Sequence, residues 1–256
     1  MLSIQAGLNG LSFFVLEHFS GNVIDVIFEN FTKALTPEKL LNKMIKILDT
    51  HESLQERFSK VQVIHNNEMQ TVIPSALFDE ANLSDYLKYN TKIFKTDFIT
   101  YDVIQNIDIV LAYVPFMNIN NYVFDRFGSF EYKHSATVLI EKILQLEKNN
   151  TEPKVFINIE CSCFEIIITK NNNLLLYNRF EYSTKEDFIY YLLFTAEQLE
   201  LNPEYFKCVL IGLDNENDDL FSIVYKYIRN TTLLKSEDMN YSQNESTKNF
   251  TLLNSY

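Results

Sequence analysis

The chain opens with three short apolar runs of strand length, Leu2–Ala6, Leu11–Glu17 and Val23–Phe28. Gly7-Leu8-Asn9-Gly10 separates the first two and Ser20-Gly21-Asn22 the second pair. Asparagine and glycine tolerate positive φ, so both stretches predict hairpin turns. Thr36-Pro37-Glu38 then has the form of a helix start. Threonine can cap, proline fits the first helical position, and the acid suits the positive end of the helix dipole. Leu40, Leu41, Met44, Ile45 and Leu48 follow at helical spacing.

The same order returns later. Val155–Ile159, Phe164–Thr169 and Leu174–Phe180 predict three strands, the last two joined by the turn Lys170–Asn173. Thr184-Lys185-Glu186-Asp187 then opens a helix carrying Phe188, Leu192, Leu193, Ala196 and Leu199. Ile4 matches Ile157 and Leu11 matches Phe164, both displaced by 153 positions (157 − 4 and 164 − 11). Thr36 matches Thr184 at a displacement of 148, so the first copy carries five extra residues between hairpin and helix. Two copies of strand-strand-strand-helix predict an internal duplication. Coincidence between generic apolar hairpins is the competing explanation.

Each copy continues with alternating elements. Lys60–His65, Met69–Ile73, Asp97–Asp102, Ile107–Val114 and Phe130–Lys133 read as strands, and Leu83–Tyr89, Asn118–Phe127 and Ala136–Lys148 as helices. Cys208–Ile211 reads as a buried strand and Leu220–Ile228 as a helix. Strands alternating with helices predict mixed α/β sheets flanked by helices. The polar stretch Lys148–Pro153 is the natural boundary, giving a first lobe at 1–150 and a second at 151–236. Residues 237–256 are expected to form a mobile tail, with Phe250–Leu253 as the segment able to dock back.

Composition narrows the chemistry. Of 256 residues, 46% are hydrophobic and 22% charged, enough to bury a sizeable core, but only five are glycine. Most phosphate sites depend on glycine for close backbone approach, so few such loops are possible here. Net charge is −12, from 34 acidic against 22 basic residues, with no Lys/Arg-rich run. That balance argues against nucleic acid as a partner. The first basic residue is Lys33 and the apolar runs are too short to span a bilayer, so a cytoplasmic protein without direct membrane insertion is expected. Three cysteines are no disulfide framework, and the lone Cys161-x-Cys163 has no histidine nearby, so no metal site is expected.

Three antiparallel strands leading to a helix, twice over, resembles the plan of the actin, Hsp70 and sugar-kinase superfamily. The resemblance implies a two-lobed, duplicated ribonuclease-H-like fold. In that superfamily the first hairpin of each lobe carries an Asp-x-Gly phosphate loop, and a third glycine-rich turn holds adenosine. Glycine lets backbone N–H groups point at phosphate, and the aspartate organises a hydrated Mg²⁺. Here Gln5-Ala6-Gly7 stands at the first loop, with Gly10 following, and Asn158-Ile159-Glu160 at the second. Both aspartates are replaced by amides. A carboxylate at Glu160 within about 4 Å of a phosphate would repel it by roughly 1 to 4 kcal/mol per charge pair. The adenosine turn falls at Ile211-Gly212-Leu213-Asp214, with one glycine where the resemblance implies two. Gln5, Gly7, Gly10, Asn158, Glu160 and Gly212 are therefore the positions of a degenerate nucleotide cleft, without catalytic residues and without a cofactor. ATP enters only if the chain is a divergent ATPase or small-molecule kinase. A ribonuclease-H-type nuclease would need a carboxylate where Gln5 stands.

Particular phrases bring a closer likeness. Leu77-Phe78-Asp79-Glu80, Asp85-Tyr86-Leu87-Lys88-Tyr89-Asn90, Val155-Phe156-Ile157-Asn158, Tyr177-Asn178-Arg179-Phe180 and Glu186-Asp187-Phe188-Ile189-Tyr190-Tyr191 resemble an uncharacterised Bacteroidetes family. It is a domain-of-unknown-function family (number 3822) with an actin-like ATPase fold, and it brings no reaction to carry over. Asp214–Asp219 lacks the glycine of a calcium loop and reads as an acidic helix start. His18, His51, His65 and His134 are scattered and read as surface or packing residues. Tyr177, Tyr182, Tyr190 and Tyr191 with Phe180, Phe188 and Phe194 are expected to supply core, any exposed remainder marking a protein-binding patch. The expected role is a non-catalytic scaffold or binding module, a pseudoenzyme with a protein partner.

Overall fold

The computed structural model describes residues 1–17, 23–234 and 250–255. The expected turn at Ser20–Asn22, His18 and most of the expected tail lie outside the described residues. The chain divides into two compact units, Met1–Leu139 with the residues from Thr251 on, and Ile140–Phe250.

In the first unit β1 (Leu2–Gly7), β2 (Gly10–Leu16) and β3 (Val23–Asn30) lead into α1 (Pro37–Thr50). β4 (Val61–Asn66) and β8 (Glu131–His134) complete a sheet of order β3-β2-β1-β4-β8. The first three strands are antiparallel neighbours, while β4 and β8 run parallel to β1. The second unit repeats this with β9 (Lys154–Ile159), β10 (Cys163–Lys170), β11 (Asn173–Glu181), α5 (Lys185–Gln198), β12 (Lys207–Ile211) and β13 (Asn230–Leu233), in order β11-β10-β9-β12-β13. The strand directions are again antiparallel, antiparallel, parallel and parallel.

The duplication extends to register. Leu2 pairs with Val15, and their equivalents Val155 and Ile168 pair in the same way. The hairpin register slips between Val15 and Leu16 in one copy and between Ile168 and Thr169 in the other, again 153 positions apart. A one-residue bulge at the same site in both sheets is a feature of the unit rather than of either sequence. Generic hairpins have no reason to share it.

Alternation along the strands sets the cores. Leu2, Ile4 and Ala6 of β1 and Leu11, Phe13 and Val15 of β2 are buried with Leu40, Met44 and Leu48 of α1. Ile119 and Val123 of α3 (Met117–Phe127) join them. Val155, Ile157 and Ile159 do the same against Phe188, Leu192 and Ala196 of α5 and Phe221 and Val224 of α6 (Asp219–Tyr227). Both first helices start on a threonine cap. Thr36 Oγ1 accepts from Lys39 N at 3.4 Å, and Thr184 with Asp187 forms a capping box, each side chain bonded to the other's backbone N–H. Such caps are worth about 1 kcal/mol each.

The copies differ between the fourth strand and the following helix. The first unit inserts β5 (Gln70–Pro74), α2 (Leu83–Leu87), β6 (Thr100–Ile104) and β7 (Ile109–Tyr113), with a three-stranded antiparallel sheet of order β5-β7-β6. The strand expected at Asp97–Asp102 begins only at Thr100. Asp97 is instead held in a turn, accepting from Phe94 N at 2.7 Å and donating its own N–H to Phe94 O. β13 escaped the sequence reading because four residues rich in Asn and Thr carry no apolar alternation. After β8 comes α4 (Ser135–Leu146), and the described chain ends with α7 (Phe250–Leu253). Thr251 and Leu252 are buried, and Ser255 Oγ donates to Ser3 Oγ at 3.2 Å. No helix among the described residues is long and apolar enough to cross a membrane.

Candidate functional site

The sequence-predicted positions fall into two groups, one on each unit, at the ends of equivalent strands. Gln5, Gly7 and Gly10 lie on the β1–β2 hairpin, with Gln5 opposite Ser12 and beside Ile64 of β4. Asn158, Glu160 and Gly212 lie together in the second unit, where Asn158 pairs with Glu165 of β10 and with Ile211, the residue before Gly212.

In the first unit the two glycines are explained by close approach rather than by backbone sign. The expected hairpin forms, and none of Gly7, Leu8, Asn9 and Gly10 uses the positive φ that asparagine and glycine tolerate. A Cβ on Gly7 would sit 3.1 Å from Asn66 O, and one on Gly10 3.1 Å from Glu29 O and from Asn30 Oδ1. A side chain at either position would require its neighbours to give by a few tenths of an ångström. Gln5 Oε1 is buried with no hydrogen-bond partner among the described residues, a costly state for an amide oxygen. In the second unit asparagine does adopt positive φ, where Asn171 and Asn172 (φ 51° and 60°) turn β10 into β11.

In the second unit the equivalent positions are tied into an ionic network. Asn158 Nδ2 donates to Glu165 Oε2 at 2.8 Å, and Tyr177 OH donates to Glu165 Oε1 at 2.5 Å. Glu165 is 1% exposed and faces the Arg179 guanidinium, 13% exposed, at 3.9 Å. Arg179 also reaches Glu160 Oε2 at 3.4 Å, where the Cys163 thiol donates at 3.4 Å. Burial raises the Glu165 pKa above the usual carboxylate range, and the Arg179 charge works against that rise. Burial likewise pushes the Tyr177 hydroxyl and the Cys163 thiol well up, so both stay protonated at neutral pH.

The loop itself is occupied by its own contacts. Glu160 N donates to Cys163 O at 2.9 Å, and Tyr182 OH donates to Glu160 O at 3.0 Å. The Glu160 N–H that a phosphate loop would offer to a ligand is spent internally. The Glu160 carboxylate, read from sequence as repelling a phosphate, is partly neutralised by Arg179. Gly212 has a structural cause of its own. It sits at φ +94°, and a Cβ there would meet Ile159 O at 2.3 Å, so only glycine closes β12 against β9.

Sequence reasoning missed Glu165, Tyr177 and Arg179. The available signal was a charge inside the apolar run Cys163–Thr169, which demands a partner once buried. It also grouped Tyr177 with core aromatics, whereas its hydroxyl serves Glu165.

A second polar cluster, also unmarked in sequence, holds the inserted sheet to the first unit. Asp102 on β6 accepts from His134 N at 2.8 Å, Thr137 Oγ1 at 2.7 Å and Tyr113 OH at 3.1 Å. Burial raises its pKa, and those donors oppose the rise. His65 Nδ1 accepts from Phe116 N, so its Nε2–H donates to Asn120 Oδ1 at 3.0 Å. Burial lowers the His65 pKa to about 4, with the Asn120 bond opposing the fall. His134 Nδ1 accepts from Ala136 N, leaving Nε2–H for Asn67 O. Neutral rings with both nitrogens engaged are packing and pinning residues. Among the described residues no group of three or more His, Cys, Asp or Glu side chains is placed to hold a metal ion. Asp218 of the acidic stretch caps α6, accepting from Leu220 N at 2.8 Å.

Known proteins were compared with this geometry. A crystal structure from Bacteroides thetaiotaomicron, of a protein with actin-like ATPase fold and unknown function, is similar with a TM-score of 0.81 at 21% identity. The likeness covers 91% of this chain and 90% of that one. A chain of the PilM-PilN type IV pilus biogenesis complex aligns with TM-score 0.65 at 10% identity, over 98% and 97% of the two chains. The ethanolamine utilization protein EutJ from Carboxydothermus hydrogenoformans gives 0.50 at 7% identity, over 99% and 87%. At these identities the likeness establishes the fold, which is actin-like. No curated protein matches the sequence. The model of the family described as protein of unknown function (DUF3822) matches residues 1–231, so the chain belongs to that family.

Proposed function

We propose that the chain is a non-catalytic protein-binding or scaffold module whose nucleotide-gripping loops are degenerate. The observation that carries this reading is the network in the second unit. Asn158 and Glu160, which stand where the superfamily resemblance implies a metal-organising aspartate and a phosphate-approaching glycine, are committed to Glu165, Arg179 and Cys163. Admitting a phosphate there means breaking a buried, charge-assisted network, at a cost of several kcal/mol. The glycines that survive have packing reasons independent of any ligand. The fold likeness to a chain of the PilM-PilN complex is in keeping with a role in protein assembly, as analogy of fold.

A divergent ATP-binding enzyme, an ATPase or small-molecule kinase, is the second reading. Gln5 Oε1 favours it, because a buried acceptor without a donor among the described residues is a place for a ligand's donor. Calorimetric titration of the full chain with Mg-ATP separates the two. The scaffold reading expects no heat up to millimolar nucleotide, and micromolar binding would remove it.

A further inference from the structure

α5 carries aromatic side chains on two faces. Phe188, Leu192 and Ala196 turn into the core. Tyr190 and Phe194 turn outward, 60% and 46% exposed, with their rings stacked at 6.0 Å and 19°. Four-residue spacing puts them on one stripe, and Glu186 and Glu197 continue it one turn to either side. The carboxyl end of this stripe runs into a depression of about 410 Å³ lined by Leu193, Glu197, Glu200, Leu201, Asn202 and Pro203. Its floor is apolar and both charges in its lining are negative.

Two further facts add to that sign. The last turn of α5 has no basic residue, so nothing in that turn offsets the negative end of the helix dipole beside Glu197. Glu200 holds φ at 55°, the left-handed position where a helix end normally places glycine. A carboxylate stands there against the local backbone preference.

We propose that this stripe and depression form a docking site for a cationic amphipathic protein segment. Its apolar side chains lie on Tyr190, Phe194 and Leu193, and its arginine or lysine points at Glu197 and Glu200. Arginine suits the site best, since one guanidinium can stack on an aromatic face and also fork onto a carboxylate. The sign of the charges disfavours nucleic acid and anionic lipid surfaces. A two-fold contact with a second copy would set the acidic ends of one stripe against those of the other. The inference rests on the protein-binding reading and names the partner class for it.

The test uses the full chain and a fluorescent helical peptide of alternating leucine and arginine faces, followed by anisotropy at low and moderate salt. Salt-sensitive binding is expected, with no binding of a twin peptide carrying glutamate for arginine. E197K/E200K and Y190S/F194S should each weaken it by about tenfold or more. E52K/E56K reverses the same charge on the first unit and should leave it unchanged, and circular dichroism checks that every variant is folded. Equal weakening by E52K/E56K, equal binding of the twin, or indifference to the α5 variants would overturn the site. Silence toward both peptide and Mg-ATP would remove this docking site and leave the scaffold reading. Mg-ATP binding alongside site-dependent peptide binding would do the reverse.

Discussion

The same row of positions crosses the two equivalent sheets with opposite chemistry. In the first unit it reads Phe28, Ser12, Gln5, Ile64, and in the second Arg179, Glu165, Asn158, Ile211. One copy is neutral and leaves an amide oxygen without a partner among the described residues. The other is ionic and internally bonded. The next position along the fourth strand diverges as well. His65 and Gly212 are displaced by 147, as are Val63 and Leu210, which pair with the equivalent residues Ile4 and Ile157. A buried neutral histidine stands at one and a glycine pressed on a carbonyl at the other. A duplicated backbone thus conserves register and bulge while its inward polar positions are free to drift, because backbone pairing does not depend on which side chain fills the row.

The largest expected effect tests the ionic row. Arg179→Met leaves Glu165 buried without its cation and should cost about 3 to 5 kcal/mol in urea denaturation at neutral pH. Because Glu165 can then take up a proton, the loss should shrink as pH falls. Phe28→Met at the equivalent place should cost under about 1 kcal/mol, since Phe28 is 45% exposed and carries no charge. Equal costs would show that the rows are not energetically distinct.

His65 gives the next effect. Its folded pKa, lowered to about 4, lies below the unfolded value, so the unfolded chain takes up the proton first as pH drops. The stabilisation is complete above the unfolded pKa and is lost as pH falls toward the folded one, by about 3 kcal/mol in all. The raised carboxyls Asp102 and Glu165 act with the opposite sign, their contribution being lost as pH rises. His65→Gln should flatten the slope of stability between about pH 6.5 and 4. An unchanged slope would assign the acid sensitivity elsewhere.

Gly212→Ala should cost about 2 kcal/mol or more, since both its φ and Ile159 O oppose a Cβ. Gly128, at φ +81° with open space around it, should cost about 1 kcal/mol on the same change. Thermal melts of the two variants would separate contact from backbone strain.

The smallest pair is the sharpest. Asn158→Leu removes a donor from buried Glu165 and should destabilise by about 1 to 3 kcal/mol. Gln5→Leu removes an unpartnered acceptor and should be neutral or stabilising by up to about 1 kcal/mol. Opposite results would mean that the roles of the two amides are exchanged.

Much of the fold was legible in the sequence. The match of Ile4 with Ile157 foretold a shared hairpin register, and Thr36 and Thr184 marked both helix starts. These signals are carried by residues two to four apart, where periodicity and capping act. The candidate positions were legible as places but not as chemistry. The pairing of Glu160 was not legible because Arg179 lies nineteen residues away and meets it only across the β10–β11 hairpin. Tyr190 and Phe194 could not be told from Phe188, because the middle of α5 carries apolar and aromatic side chains on more than one face and only packing decides which face is covered.

By itself, then, the sequence determined the duplicated strand-strand-strand-helix units and the amides at Gln5 and Asn158, since local pattern and residue identity are enough for both. The tertiary structure alone decided that Asn158 is bonded while Gln5 Oε1 is not, and that Gly212 answers to Ile159 O. It also decided which rings of α5 meet water. Each of these depends on pairs brought together by strand register and helix packing, and no local rule along the chain encodes such pairs.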